Sequence, residues 1–277
     1  MVTSLAGQVA VVTGASRGIG AHLSLRLAEE GAKLVLVARS ARSCATTAAA
    51  CRGHGAETRV HPMDIADEVA VRCAVADVVS EFGQIDLLVN NAGIIDPSEV
   101  PLWETDPAAW LRVLQTNLYG PYLLDRYVVP HMISRRCGRV IHLNSNAAVV
   151  GRPAYSAYCA AKTALLKMSE CLDAYASDHG VHSFDVSPGV VRTDMTASMP
   201  MHGDRERWTS PEKVGDMVLK IARGELDALS ARFLRAEDDT ERSLGQVMGG
   251  GDRRLRVMPY GPADALAREP DPGTRSR

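Results

Sequence analysis

Neither charge sign dominates this 277-residue chain: 31 lysines and arginines stand against 33 aspartates and glutamates, a formal net charge of −2. Without a basic excess the sequence lacks the electrostatic footprint of a nucleic-acid binder, and no nucleic-acid partner is expected. Long apolar runs are missing too. None approaches the roughly 20 residues needed to span a bilayer, so no membrane segment is expected. The N-terminal stretch MVTSLAGQVAVVTG has no basic region ahead of its apolar run, which argues against a signal peptide. The six cysteines (Cys44, Cys51, Cys73, Cys137, Cys159 and Cys171) are scattered, with no CxxC pair and no clustered His/Cys set. That spacing excludes a disulfide framework or a zinc site and suits a reducing, cytoplasmic setting.

What the chain does have is alternation. Short apolar runs at 8–13, 33–38, 57–61, 85–90, 139–144 and 182–187 read as strands. Segments of helical pattern lie between them, at 18–31, 41–52, 67–82, 107–134 and 155–178. Strands this apolar, separated by helices, imply a parallel sheet covered on both faces. One doubly wound α/β domain is expected over residues 1–240, without internal repeats. Residues 194–209, DMTASMPMHGDRERWT, have no clear period and read as a loop or a pair of short helices. The C-terminal extension, 241–277, becomes rich in Gly, Pro and Arg, and its last dozen residues read as a mobile tail.

The first strand runs into TGASRGIG (13–20) and a helix follows at once. In that context Gly14 turns the chain sharply, Gly18 lets the backbone approach a diphosphate, and Gly20 lets helix and sheet pack closely. The helix N-terminus offers free N–H groups and a positive dipole end to the phosphates. Ser16, Arg17 and Ile19 lie in the same turn and complete the expected phosphate cradle. The second strand ends in Ala38-Arg39-Ser40, where an NAD site carries an acidic residue for the ribose 2′-hydroxyl. Arg39 and Arg17, with no acid beside them, suit a 2′-phosphate. NADP(H) is therefore expected over NAD(H); the alternative is that both arginines are solvated surface residues. Asp64, followed by Ile65, ends the third strand and is a candidate acceptor for the adenine amino group or a helix cap. NNAG (90–93) ends the fourth strand: Asn90 and Asn91 can tie strand ends together, Ala92 and Gly93 allow backbone beside the cofactor, and the bland alternative is a turn.

Tyr158 and Lys162 lie four apart in a helix and share a face. A free tyrosine, with a pKa of about 10, is a poor acid at neutral pH, and a nearby ammonium lowers that value. Such a pair suits proton exchange with a carbonyl or alcohol. Tyr155 is a rival hydroxyl, but Cys159, not a base, stands four residues after it. TGASRGIG, NNAG, Asn117, Ser145 thirteen residues before Tyr158, Tyr158-x3-Lys162 and PGVVRT (188–193), in that order, make the chain resemble the short-chain dehydrogenase/reductase family over residues 7–195 and onward to about 240.

The resemblance implies a single Rossmann-type doubly wound domain with a mostly parallel seven-stranded sheet flanked by helices, one strand more than the six read from the residues. Tyr158 would give a proton to the carbonyl in reduction, Lys162 would lower its pKa and hold the nicotinamide ribose, and Ser145 would polarise the substrate oxygen. Asn117 would help hold a water in the relay to Lys162. Pro188, Gly189, Val191 and Thr193 would contact the nicotinamide half. Independently of any relative, Pro121 has no N–H to bond the carbonyl of Asn117, so a kink is expected there. His142 reads as a packed strand histidine and Cys159 as a core residue. Asn144 and Asn146, flanking Ser145, are expected to reshape hydrogen bonding near the substrate.

The expected activity is NADPH-dependent reduction of a ketone or aldehyde; an NAD-dependent alcohol dehydrogenase and a non-catalytic NADP(H)-binding protein are the alternatives. The resemblance implies a homodimer or homotetramer built on 107–134 and 155–178, whose alanine-rich faces suit close helix packing. Met195, Met199, Met201 and Trp208 make the 194–209 lid apolar and adaptable, which points to a hydrophobic carbonyl substrate.

Overall fold

The computed structural model describes residues 4–248. Seven parallel strands form one sheet in the order β3-β2-β1-β4-β5-β6-β7. They are β1 Val9–Thr13, β2 Lys33–Ala38, β3 Thr58–Pro62, β4 Leu87–Asn90, β5 Gly138–Leu143, β6 Val181–Ser187 and β7 Phe233–Arg235. Every pairing is parallel, with Val11 opposite Val35 on one side and Leu88 on the other. Strand order reverses between β1 and β4, and a ligand crevice opens outside the carboxyl ends of the strands at such a reversal.

Period-two alternation sends the strand side chains to two cores. Ala10, Val12, Leu34, Leu36 and Phe184 pack on one face with Leu23, Leu27 and Val214. Val9, Val11, Val35, Val37 and Leu88 pack on the other with Val71, Leu124 and Val128. The covering helices include α1 Gly18–Glu29, α2 Ala41–Gly53 and α3 Glu68–Phe82. Local chemistry sets their ends. Ser40 accepts from Ser43 N to cap α2, and Asp67 accepts from Val69 N and Ala70 N to cap α3. Gly83, in the left-handed region at φ 75°, stops α3.

The helix expected over 107–134 is interrupted. α4 Pro107–Leu114 leads into a π-helical turn, Gln115–Tyr119, and α5 Gly120–Arg135 restarts with Pro121 in its first turn. Proline cannot donate, so the ladder breaks where the sequence placed the kink, and Gly120 N–H closes the wider turn on Gln115 O. The helix expected at 155–178 is α6 Ser156–Ala176. The 194–209 segment carries α7 Asp194–Ala197 and a 3-10 turn, Pro200–His202, before α8 Pro211–Ala222. The seventh strand has only three residues, too few to show a period. Past the expected boundary at 240, α9 Glu241–Met248 sets Leu244 into the first core. The rest of the 241–277 extension lies outside the described residues. Among the described residues no helix is long and apolar enough to cross a membrane, and no group of His, Cys, Asp or Glu could hold a metal ion.

Candidate active site

The crevice is lined first by the turn between β1 and α1. Gly14 and Gly18 have φ of 64° and 57°, a region that favours glycine. A Cβ on Gly20 would sit 2.3 Å from Gly14 O, so helix and strand approach as closely as the sequence reading expects. A Cβ on Gly18 would meet the Thr193 methyl at 3.2 Å, which sets this turn against the start of the 194–209 segment. Arg17, the N-cap of α1, is extended and makes no side-chain cap bond. The first-turn N–H groups of a 12-residue helix thus face the crevice without a side-chain acceptor, as an anion cradle requires. These features fit a dinucleotide. Its nicotinamide would supply the hydride, and the residues described next are the candidates to hold it and move the proton.

The end of β4 is locked to β1. Asn91 Nδ2 donates to Thr13 O at 2.8 Å, while Asn91 N and Ala92 N both donate to Thr13 Oγ1 at 3.0 Å. Asn90 does not tie strand ends together as expected. Its Nδ2 donates to Asp125 Oδ1 on α5, because a strand residue one position earlier points to the opposite face. The neighbouring expectations divide. Ile65 is buried against Gly120, and Asp64 forms a local turn by accepting from Ala66 N at 2.9 Å. Ser40 is exposed and spends its hydroxyl on the α2 cap. Arg39 is exposed at the end of β2. Arg17 reaches across the crevice to pair with Asp194 Oδ2 at 2.9 Å, with both side chains about 70% exposed.

The proton-transfer candidates come together between β5 and α6. Ser145 follows β5 in extended backbone, and its Oγ accepts from Ala147 N. Ser145 also hydrogen-bonds Tyr158. Lys162 is 4% exposed, and its Nζ donates to Leu143 O at 2.6 Å and lies 5.6 Å from the Tyr158 ring centre. Burial drives the Tyr158 pKa up to about 12, against the pull of the Ser145 bond. Burial also drives Lys162 down to about 8, against the pull of Asp185. With only the protein around it, the phenol is therefore a firmly held proton. The lowering expected from Lys162 does not appear: burial raises the Tyr158 pKa, and the Ser145 hydrogen bond is what pulls it down.

Asn117 is fully buried, and its side chain is spent on Ile94, with Oδ1 accepting from Ile94 N at 2.8 Å and Nδ2 donating to Ile94 O at 2.7 Å. The loop after β4 is thereby fixed from inside the π turn. Tyr155, the rival hydroxyl, is buried and donates to Glu99; burial and that carboxylate push its pKa up. Pro188 and Gly189 follow β6. A Cβ on Gly189 would sit 2.2 Å from Thr209 Oγ1, so this turn packs against the far end of the 194–209 segment. Val191 bridges Thr209, and Thr193 caps α7 in a reciprocal bond with Thr196. In the segment itself Met195 and Met199 are half-buried, while Trp208 packs against His202 and Arg192.

Sequence reasoning missed Asp96. Its carboxylate accepts from Ala157 N and Tyr158 N at 3.3 and 3.1 Å, capping α6 from 61 and 62 residues away. Nothing local distinguishes it, because the partner backbone lies beyond any short-range pattern. An acceptor here stabilises the helix end that presents Tyr158.

The family model for short chain dehydrogenases matches residues 8–202. A short chain dehydrogenase of Monascus purpureus is 34% identical over 264 residues, covering 91% of this chain and 89% of its own. The cis-4-hydroxycyclohexanecarboxylate dehydrogenase of Sinomonas cyclohexanicum is 32% identical over 90% of this chain and 96% of its own. A putative short-chain alcohol dehydrogenase from Sinorhizobium meliloti superposes with a TM-score of 0.80 at 26% identity, covering 86% of this chain and 97% of the other. A metagenomic short-chain oxidoreductase solved in complex with NADP superposes with a TM-score of 0.70 at 32% identity, covering 80% and 93%. With the glycine turn, the seven-stranded order and the Ser145–Tyr158–Lys162 group in place, the chain belongs to the short-chain dehydrogenases and is an oxidoreductase acting between alcohol and carbonyl.

Proposed function

We propose that the protein is an NADPH-dependent carbonyl reductase acting on a hydrophobic ketone or aldehyde. The observation that carries this reading is the Ser145–Tyr158–Lys162 group at the strand ends, with Ser145 hydrogen-bonded to Tyr158 and Lys162 Nζ 5.6 Å from the Tyr158 ring centre. Tyr158 would donate its phenolic proton to the carbonyl oxygen as negative charge develops there. Ser145 donates to the same oxygen, and Lys162 sits behind the phenol to stabilise the phenolate left after transfer. The nicotinamide cofactor supplies the hydride. Arg39 and Arg17, at the end of β2 and in the glycine turn, support recognition of a 2′-phosphate, with Asp64 and Ile65 beside the adenine and Asn91, Ala92, Gly93, Pro188, Gly189, Val191 and Thr193 along the remainder. The half-buried Met195 and Met199 support an apolar substrate wall. The exposed Tyr119 and Tyr122 on the π turn and α5, and Tyr175 on α6, support a homo-oligomer formed on these helices.

One observation favours NAD(H) instead. Arg17 already has a carboxylate partner in Asp194, which would repel a 2′-phosphate. Titration with NADPH and with NADH, followed by a panel of cyclic and polycyclic ketones, decides both points. Tighter NADPH binding and NADPH oxidation with an apolar ketone are the expected results. A clear NADH preference rejects the arginine argument.

A further inference from the structure

A chain of buried polar side chains runs behind the proton-transfer group, and the reaction described above leaves it unused. It begins at Asn90 and Asp125. Asp125 Oδ2 meets His142 Nε2 at 3.0 Å, and His142 Nδ1 meets Ser169 Oγ at 2.8 Å. Ser169 in turn hydrogen-bonds the Asp185 carboxylate. Asn144 closes the chain onto the site. Its Nδ2 donates to Asp185 Oδ1 at 2.6 Å and to the carbonyl of Lys162 at 3.2 Å, and its Oδ1 accepts from Ser145 N at 2.8 Å. Asp125, His142, Asn144, Ser169 and Asp185 are each no more than 7% exposed.

With Asp185 as the carboxylate, the hydrogen bonds set where the protons lie. Ser169 has one hydroxyl proton; giving it to Asp185 leaves Oγ to accept from His142 Nδ1–H. His142 Nε2 then faces the Asp125 carboxylate, and that contact is a hydrogen bond only when one extra proton is shared between the two. Asp125 and Asp185 both favour the imidazolium and win against burial. The groups on the packed elements are Asp125 on α5, Asp185 on β6, His142 on β5, and Tyr158 and Lys162 on α6; burial pushes the Asp185 pKa up, while His142, Asn144, Ser169 and Lys162 pull it back toward the carboxylate. A buried set of charges is tolerable when it is paired and hydrogen-bonded in this way.

We propose that Asn144 and Asp185 are positioning residues of the proton-transfer site. Asn144 ties Ser145 to the turn of α6 that carries Lys162, and Asp185 anchors Asn144 while supplying the negative charge that keeps Lys162 an ammonium. Asp185 is the charged group that resists the desolvation of Lys162, whereas His142 and Lys162 repel each other. The proposal rests on reading Lys162 as the partner of Tyr158, so its test begins with a measurement that needs no turnover.

The lysines are Lys33, Lys162, Lys167, Lys213 and Lys220, few enough to resolve by 13C-lysine NMR, with Lys162 assigned by its loss in Lys162→Met. In the wild type Lys162 should titrate lowest. In Asp185→Asn, which keeps the shape and the acceptor for Asn144, its midpoint should fall by about one further pH unit, as for loss of a nearby opposite charge. An unchanged midpoint in a folded variant overturns the proposal. If Asp185→Asn does not fold, Ser169→Ala, which removes one hydroxyl from the chain, should move the midpoint in the same direction by a smaller amount, and no movement again overturns it. Asn144→Ala should lower kcat about tenfold or more with cofactor affinity retained; an unchanged kcat removes Asn144 from the proposal. A Lys162 shift without any ketone reduction by the wild type supports the charge assignment and rejects only the reductase reading.

Discussion

Lys162 and Arg39 both present a cation near the carboxyl end of the same sheet, and the structure treats them in opposite ways. Lys162 is 4% exposed and fastened to a strand carbonyl, with its backbone held by Asn144. Arg39 stands exposed beyond β2. The first is held by buried hydrogen bonds on both its side chain and its backbone, whereas the second can change with little effect on the fold. On the proposed reading, the reaction is held by buried hydrogen bonds and the cofactor preference by side chains that solvent already reaches. The contrast follows from desolvation: a charge taken out of water needs fixed partners, and fixed partners give the geometry that proton transfer demands.

The hardest test of the buried side is Tyr158→Phe. Removing the proposed acid should lower kcat by a factor on the order of 100 to 10,000 with the fold intact by circular dichroism; near-normal turnover would remove Tyr158 from the chemistry. Next in size, Gly20→Ala forces a Cβ against the Gly14 carbonyl. It should destabilise the chain by about 1–3 kcal/mol in urea unfolding and weaken dinucleotide binding. The pH dependence is third. Lys162 is charged below about 8 and loses its proton above it. Reductive kcat should therefore be flat below that value and fall by about tenfold for each further pH unit once the ammonium is lost, as titration of a single essential group requires. A profile flat to pH 10 would contradict that assignment.

The exposed side should respond more gently and more selectively. Arg39→Ala should raise the NADPH KM about tenfold, some 1.4 kcal/mol, and leave NADH nearly unaffected. Asp194→Ala frees Arg17 from its surface ion pair. It should cost under about 1 kcal/mol of stability and tighten NADPH slightly, since exposed pairs contribute little. Equal losses with both cofactors in Arg39→Ala would erase the distinction between the two regions.

The alternation of apolar strands and amphipathic segments was enough to place six strands and the main helices, because burial on both sheet faces leaves a strong pattern. Phe233–Arg235 escaped it by being short. Pro121 announced a break in the long helix, but a missing donor does not say whether the ladder ends, bends or widens; the π turn depends on Gly120 packing onto Ile65 from another element. Tyr158 and Lys162 could be paired from their local helical spacing, while Ser145 was singled out only by the family resemblance; the structure brings the three together. Asp96 and the full reach of Asn144 were not, since their partners lie in parts of the chain that only the folded sheet brings near. Tyr158's raised pKa was hidden for a similar reason: neighbouring charge can be read from a sequence, but depth cannot.

The loop after β4 ties two functions to one short piece of chain. Asn117 grips Ile94 by both backbone atoms, and two residues later Asp96 caps the helix that presents Tyr158. Those three residues work as a yoke between the π turn and the α6 N-terminus. From Pro97 onward the loop leaves this harness and runs toward Glu99, which meets Tyr155 and the backbone of Met201. A change of sequence or length beyond residue 96 can therefore leave the mounting of Tyr158 in place.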